Sequence, residues 1–243
     1  MMKELQKYIV LIMEAKDIAP WELLQKKITW EQLKYIHNKR VLDFGSGNGM
    51  TANHFAINNV VVAIEPDEKI LEDRFRENDY TQMQGDINEL KKFEDESFDV
   101  ILCHNVFEYA DEREEIMKEF ARILKKAGYL SISKHNRAGR VMQMVVLLNN
   151  FEHANELLEG KNGHAQKFGT INYYEDKELL EWSDKFEVEK ILGIRTFWDL
   201  QQNQEIQEDK AWQEQMLEIE LKVSDLEEYK SIASFHHVIL RKK

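Results

Sequence analysis

A short apolar run, Val41-Leu42-Asp43-Phe44, opens directly into Gly45-Ser46-Gly47-Asn48-Gly49. Glycines after a strand let the backbone turn tightly and approach a ligand closely. A ligand at such a turn lies outside the carboxyl ends of parallel strands, near a topological switch point. A second apolar run, Val60 to Ile64, ends at Glu65, a carboxylate able to accept hydrogen bonds from both hydroxyls of a ribose. Farther on, Gly85-Asp86-Ile87 puts Asp86 where it can bond an adenine amino group. The chemistry these positions suggest is the holding of a nucleoside.

A nicotinamide enzyme uses a similar glycine turn followed by an acidic residue. Two residues oppose that reading. Its fingerprint calls for a third glycine at position 50, which is Met50 here, and Asp43 sets a carboxylate beside the turn. A carboxylate attracts a cationic amino group, which methionine supplies and a pyrophosphate does not. A phosphate-binding P-loop is excluded because no Gly-Lys-Ser/Thr follows the turn.

The elements that must position these residues follow from periodicity. Leu5, Ile9, Ile12 and Met13 predict a helix over 3–16, and 20–37 reads as a second. Strands are predicted at 40–44, 60–65, 80–84, 98–103 and 129–133, with helices at 50–57, 67–77 and 111–125 between them. Beyond, 138–159 reads as helix, 175–184 as helix, 186–195 as strand, 199–228 as two polar helices and 235–240 as a last strand. Alternating strands and helices imply a doubly wound α/β sheet. The expected fold is Rossmann-like: seven strands, mostly parallel, the last antiparallel, with a helical cap. The chain is expected to form one domain over 1–243, with N-terminal helices at 1–37, a cofactor-binding core at 38–135 and cap elements at 136–172 and 199–230.

Asp43 to Gly49, Glu65, Asp86 and Ser97-Phe98-Asp99-Val100-Ile101 together resemble the ordered motifs of class I S-adenosylmethionine-dependent methyltransferases. The resemblance covers about residues 38–135. It implies that S-adenosylmethionine is the cofactor, with Asp43, Gly45, Ser46, Gly47 and Gly49 on its methionine portion. It places Glu65 on the ribose and Asp86 with the Ile87 backbone on the adenine. His104 follows the fourth strand, bordering the place where the sulfonium methyl should point. It is the candidate base for a hydroxyl or amine acceptor, or a ligand of the cofactor's carboxylate. A carboxylate acceptor needs no base.

A narrower resemblance extends into the second half. His104-Asn105-Val106-Phe107-Glu108-Tyr109, His135-Asn136-Arg137-Ala138-Gly139, Asn150-Phe151, Gly193-Ile194-Arg195-Thr196-Phe197 and Phe235-His236-His237-Val238 occur in this order. They are similar to the bacterial tRNA carboxymethoxyuridine methyltransferases, which esterify a carboxylate on a wobble uridine. This resemblance implies Tyr109, Asn136, Arg137 and Arg195 as substrate residues. The chain departs from that family where it carries arginines, near Gln25 and at Ser234. Arginine pairs bidentately with carboxylates and phosphates, so the departures bear directly on the acceptor. The expected acceptor is a small molecule or a modified tRNA wobble uridine. A cofactor-binding regulator without turnover is the alternative, and an NAD-dependent oxidoreductase a third.

The net charge of −12 argues against broad affinity for a phosphate backbone and against DNA as partner. One cysteine, Cys103, excludes an internal disulfide and fits a reducing, cytoplasmic compartment. The charged segment at 1–17 lacks a small-residue cleavage site, and no apolar run reaches membrane-spanning length. His236 and His237 alternate on a strand, predicting one buried and one exposed; neither has partners at metal-ligand spacing, so no metal is expected. The acidic, Gln-rich run at 201–220 reads as a solvated helix face.

Overall fold

The computed structural model describes residues 18–165 and 169–243. The helix predicted over 3–16 lies outside them. The central sheet has seven strands: β1 (Arg40–Phe44), β2 (Val60–Glu65), β3 (Thr81–Gln84), β4 (Phe98–His104), β5 (Leu124–His135), β8 (Phe186–Ile194) and β9 (Phe235–Lys242). Their order across the sheet is β3-β2-β1-β4-β5-β9-β8. β3, β2, β1, β4 and β5 pair in parallel, and β9 runs antiparallel to both β5 and β8. Chain reversal between β1 and β4 opens the crevice at the carboxyl ends of these strands.

Period-two alternation divides the core into two layers. Val41, Val61, Ala63, Val100 and Leu102 face Trp30, Leu33, Ile36, Met50, Ala52 and Phe55. Those residues come from α1 (Pro20–Gln32), the turn after it, and α2 (Met50–Phe55). On the opposite side Leu42, Phe44, Ile101 and Cys103 meet Ile116, Met117 and Phe120 of α5 (Arg113–Ile123). Both sheet faces are covered, which is why the central strands are continuously apolar.

Two short helices follow strand ends: α3 (Glu68–Glu72), far shorter than the predicted 67–77, and α4 (Ile87–Leu90). α3 buries no residue, so no apolar face extends it. The helix predicted over 138–159 is two, α6 (Arg137–Val146) and α7 (Phe151–Leu158). Asn149, at φ +49°, takes the left-handed backbone that ends the first, and the Asn150 side chain caps the second. A small hairpin, β6 (Gly163–Ala165) with β7 (Gly169–Ile171), and α8 (Glu178–Trp182) precede β8. Between β8 and β9 lie α9 (Lys210–Val223) and α10 (Glu227–Lys230).

α9 keeps the expected solvated face at Glu214, Gln215 and Glu218 and adds an apolar stripe on its other side. Trp212, Met216, Leu217 and Leu221 pack against Leu24, Ile28, Ile194, Trp198 and Phe235, and Glu220 is buried. The charged residues between them disguise the stripe. No helix among the described residues is long and apolar enough to cross a membrane.

Candidate active site

The turn after β1 is built from backbone that only glycine takes readily. Gly45 has φ +72°, and a Cβ there would overlap Val106 at the end of the neighbouring strand. The Gly45 and Ser46 amides donate to the Ile64 carbonyl at 2.9 and 3.0 Å, locking the turn to β2. A Cβ on Gly47 would meet nothing within 4 Å, so the crown of the loop faces open space. Gly49 N-caps α2 with φ +73°. Glu65 ties the crown down: it accepts from the Gly47 amide at 2.8 Å through Oε2 and from the Asp67 amide at 3.0 Å through Oε1. Each oxygen keeps a second lone pair for a ligand.

Asp43 is 3% exposed and its Oδ2 has no hydrogen-bond partner. Burial raises its pKa to about 6, against the pull of Lys26 and the Ala52 amide. Lys26, on α1, donates to Thr51 Oγ1 at 3.3 Å and has no carboxylate within ion-pair distance among the described residues. A bare acceptor and a cation without a carboxylate partner among the described residues thus act on each other electrostatically. The sequence alone gave no signal for Lys26, a single lysine on a helix.

Asp86 stands at the end of β3, exposed, as the N-cap of α4. Its Oδ1 accepts from the backbone and side-chain nitrogens of Asn88, both at 2.9 Å, and those bonds lower its pKa. Ile87, half-buried, packs against the core beside it. Ser46 is buried, its hydroxyl 3.4 Å from the Gln82 amide.

His104 ends β4. Its Nε2 lies 2.8 Å from Ser131 Oγ, which in turn lies 2.7 Å from His237 Nε2. Burial, then His237 and Lys26, drive the His104 pKa well below its ordinary value, so the ring is neutral. Glu108, which the sequence reading did not single out, is 1% exposed. Its Oε1 accepts the His135 amide at 2.6 Å, and Oε2 has no partner. Burial raises its pKa to about 7. Tyr109 follows, its phenol pushed up to about 12 by burial and by Glu108 and Tyr173.

The four residues expected at the acceptor divide. Asn136 is consumed by structure: its amide donates to the Ser231 and Ala233 carbonyls at 2.9 and 2.8 Å, and its oxygen caps α6. Arg137 braces the end of α7, donating to the Leu157 and Lys161 carbonyls at 3.2 and 2.8 Å while lying over Tyr173. Arg195 instead lies at the heart of the cluster. It is 6% exposed, in left-handed backbone at φ +60°, a strained conformation that the surroundings must hold. Its guanidinium pairs with Asp199 and donates to Gln25 Oε1 at 3.0 Å; Asp199 also accepts from the Ser234 hydroxyl. The two positions that lack the expected arginines therefore meet at Arg195 and its partner Asp199. Glu220 fixes the following loop by accepting the Thr196, Phe197 and Trp198 amides at 2.7, 2.8 and 3.1 Å.

Arg195 Nε, Arg140 Nε and the Tyr173 hydroxyl are buried donors without acceptors. Arg140 and Arg195 both act electrostatically on His135, whose ring stands 4.5 Å from Phe235 and 6.4 Å from Tyr173. Burial, then the charges of Arg140, Arg195 and Lys134, drive His135 to about 3. Of the two histidines expected to divide into one buried and one exposed, His237 is fully buried and His236 is half-buried, bonded to Asp176 at 2.8 Å. Asp176 also accepts from the buried Lys134 at 2.9 Å, which gives that histidine a reason to turn inward.

Residues 42–132 match a sequence family described as a methyltransferase domain. That stretch contains the glycine turn, Glu65, Asp86 and His104. This chain is an S-adenosylmethionine-dependent methyltransferase. A relative named ubiquinone biosynthesis O-methyltransferase, from Glaesserella parasuis, is 25% identical over 181 residues, spanning 67% of this chain and 74% of its own. The methyltransferase also shares its fold with a possible histamine N-methyltransferase of Thermotoga maritima, at TM-score 0.59 and 19% identity over 92% of this chain and 93% of the other. The PH0226 protein of Pyrococcus horikoshii gives TM-score 0.59 at 15% identity over 91% and 92% of the two chains.

The residues present fit the cofactor. The orphaned Asp43 oxygen and Lys26, which has no carboxylate partner among the described residues, match an amino-acid zwitterion, and the open crown at Gly47 leaves room beside Glu65. Met50, 3% exposed, fills the position where a dinucleotide fingerprint needs its third glycine, which disfavours the oxidoreductase alternative.

Proposed function

We propose that this methyltransferase esterifies a carboxylate on a small molecule. The observation that carries the reading is the pair of buried arginine Nε groups, on Arg140 and Arg195, left without acceptors beside His135. Arg140 donates only to the Gln143 side chain, with no carboxylate within ion-pair distance among the described residues. A buried guanidinium donor without an acceptor is costly, and an anionic acceptor removes that cost. Arg195, partly neutralised by Asp199, and Tyr173 supply further donors. Planar walls from His135, Tyr173 and Phe235 suit an acceptor with a flat body.

Bound S-adenosylmethionine supplies an electrophilic methyl on a sulfonium. In this reading Asp43 and Lys26 hold the amino-acid end, Glu65 the ribose, and Asp86 with Ile87 the adenine. The chain's other task is to align the acceptor oxygen and exclude water, and such positioning accounts for much of the acceleration in a displacement of this kind. A neutral His104, held far below its ordinary pKa, is a poor proton store. That suits an acceptor already ionised. The relative's name specifies oxygen as the methylated atom, and the net charge of −12 favours a free acid over tRNA.

The test uses purified protein, methyl-labelled S-adenosylmethionine and a cell extract divided into tRNA and small-molecule fractions. Label in the small-molecule fraction, released by mild alkali, is the expected result, and Arg140→Gln should lower kcat/KM for that compound about 10- to 100-fold. Alkali-labile label in tRNA keeps the ester chemistry and replaces the acceptor with a wobble carboxylate. Alkali-stable label overturns the carboxylate. No label, with the cofactor bound, favours the regulator.

A further inference from the structure

A buried chain of hydrogen bonds runs from α1 to the end of β4, and its polarity can be worked out from one end. The Gln32 amide nitrogen donates to the Gly193 carbonyl at 3.0 Å, so the amide oxygen is the atom facing His237. That oxygen lies 2.7 Å from His237 Nδ1, and an amide oxygen only accepts. His237 therefore carries its proton on Nδ1. Its ring, fully buried, is neutral because burial holds its pKa near 3, so Nε2 is a bare lone pair. Ser131, also fully buried, must donate its hydroxyl proton there, across 2.7 Å. The serine oxygen is then free to accept, and the group facing it at 2.8 Å is His104 Nε2. His104 is committed to the Nε2–H form, with a lone pair on Nδ1.

Nδ1 of His104 has no partner among the described residues. Asp43 pairs in register with Leu102, two residues before His104 on the adjoining strand. Side chains two apart on a strand share a face, so Asp43 and His104 project from the same side of the sheet. Two acceptors without hydrogen-bond partners among the described residues, Asp43 Oδ2 and His104 Nδ1, thus lie on one face with Lys26 acting electrostatically on both groups. A pair of acceptors calls for a group with several N–H donors.

We propose that His104 Nδ1, with Asp43 Oδ2, accepts hydrogen bonds from the α-ammonium of the cofactor, and that Ser131, His237 and Gln32 are positioning residues that fix the required tautomer. Lys26 then takes the α-carboxylate. His104 in this tautomer cannot donate through Nδ1, so it is not a ligand of the cofactor's carboxylate. The inference rests on the cofactor contacts described for Asp43 and is independent of the acceptor's identity.

Calorimetry with S-adenosylhomocysteine and with its analogue lacking the α-amino group separates the possibilities. The wild type should bind the deaminated analogue more weakly. Ser131→Ala and His237→Phe should each weaken S-adenosylhomocysteine binding about tenfold, a charge-assisted hydrogen bond's worth, and leave the analogue's affinity unchanged. Ser131→Ala removes one hydroxyl and keeps the fold should His237→Phe fail to. Nitrogen NMR of the His104 ring should show Nδ1 unprotonated in the wild type and a tautomer mixture in Ser131→Ala. Equal weakening of both ligands, or a proton on Nδ1 in the wild type, would overturn the proposal. If Asp43→Asn also binds both ligands as the wild type does, the cofactor contacts themselves are misplaced, a failure distinct from that of the hydrogen-bond chain.

Discussion

Asp43→Asn should make the cofactor-free protein more stable and the cofactor weaker at once. The buried carboxyl titrates near 6 in the folded chain against an ordinary value of 3.8. A folded pKa above the unfolded one means the native state holds the extra proton, so stability falls as pH rises through this window. Above it, the ionised carboxylate costs about 3 kcal/mol, the equivalent of some two pKa units. Asparagine removes that cost while its oxygen can still accept the Ala52 amide. At pH 8 the variant should gain up to about 3 kcal/mol, or roughly 6–10 °C in melting temperature for a chain of this size. The gain should shrink as pH falls through 6 and vanish below 3.8. Thermal melts at stepped pH measure this directly. Cofactor binding gives the complementary signal: an ammonium ion drawn to Asp43 should expel its proton. Calorimetry near pH 6 in buffers of different ionisation enthalpy should detect release of up to roughly half a proton. A variant less stable than the wild type at pH 8, a difference that ignores pH, or binding without proton release would refute the argument.

Glu65→Ala should weaken S-adenosylhomocysteine binding by about 1.5–3 kcal/mol, the loss expected for hydrogen bonds to a charged group; unchanged affinity by calorimetry would remove Glu65 from the ribose. Glu220→Ala strands three backbone amides and should destabilise the fold by roughly 3 kcal/mol or more in urea titrations. A shift below about 1 kcal/mol would mean that water replaces the carboxylate. Gly45→Ala, forced into left-handed backbone and into Val106, should cost far more stability than Gly47→Ala. The latter meets open space and should lose only about 1–2 kcal/mol from its backbone alone. Equal losses in the two would show that Val106 yields.

The sheet was legible because most of its strands are locally marked: the runs at β1, β2, β4 and β5 end at a glycine, an acid or a histidine. The glycine turn, Glu65 and Asp86 could be placed for the same reason. What escaped was long-range. Gln32 and His237 are linked across most of the chain's length, and nothing near either announces the other. Glu220 looked like one more acid in a polar helix, since the amides it serves belong to the preceding loop. Gln25 and Ser234 were visible only as missing arginines, until the fold brought them together with Arg195 and Asp199. Asn136 and Arg137 sit in a suggestive motif, yet their side chains cap and brace helices. The helix predicted over 138–159 failed at Asn149, where a single residue's backbone breaks an otherwise continuous apolar pattern.

β9 is the last of the seven strands to be made, yet it lies inside the sheet, and among the described residues β8 has no other strand to pair with. Until residues 235–242 are available, β8 can contribute neither ladder bonds nor Arg195 at its end. Ser131 likewise faces an empty neighbour until His237 arrives. Assembly of the antiparallel side is therefore late and all at once, while β1 to β5 with their helices can form from nearer contacts. During refolding, amide protection should come first on β1 and β4, and only afterwards, together, on β8 and β9. A growing chain would pass through a period in which its parallel half is built and its antiparallel half is still an unpaired sheet edge, the stage at which it most needs shielding from its neighbours.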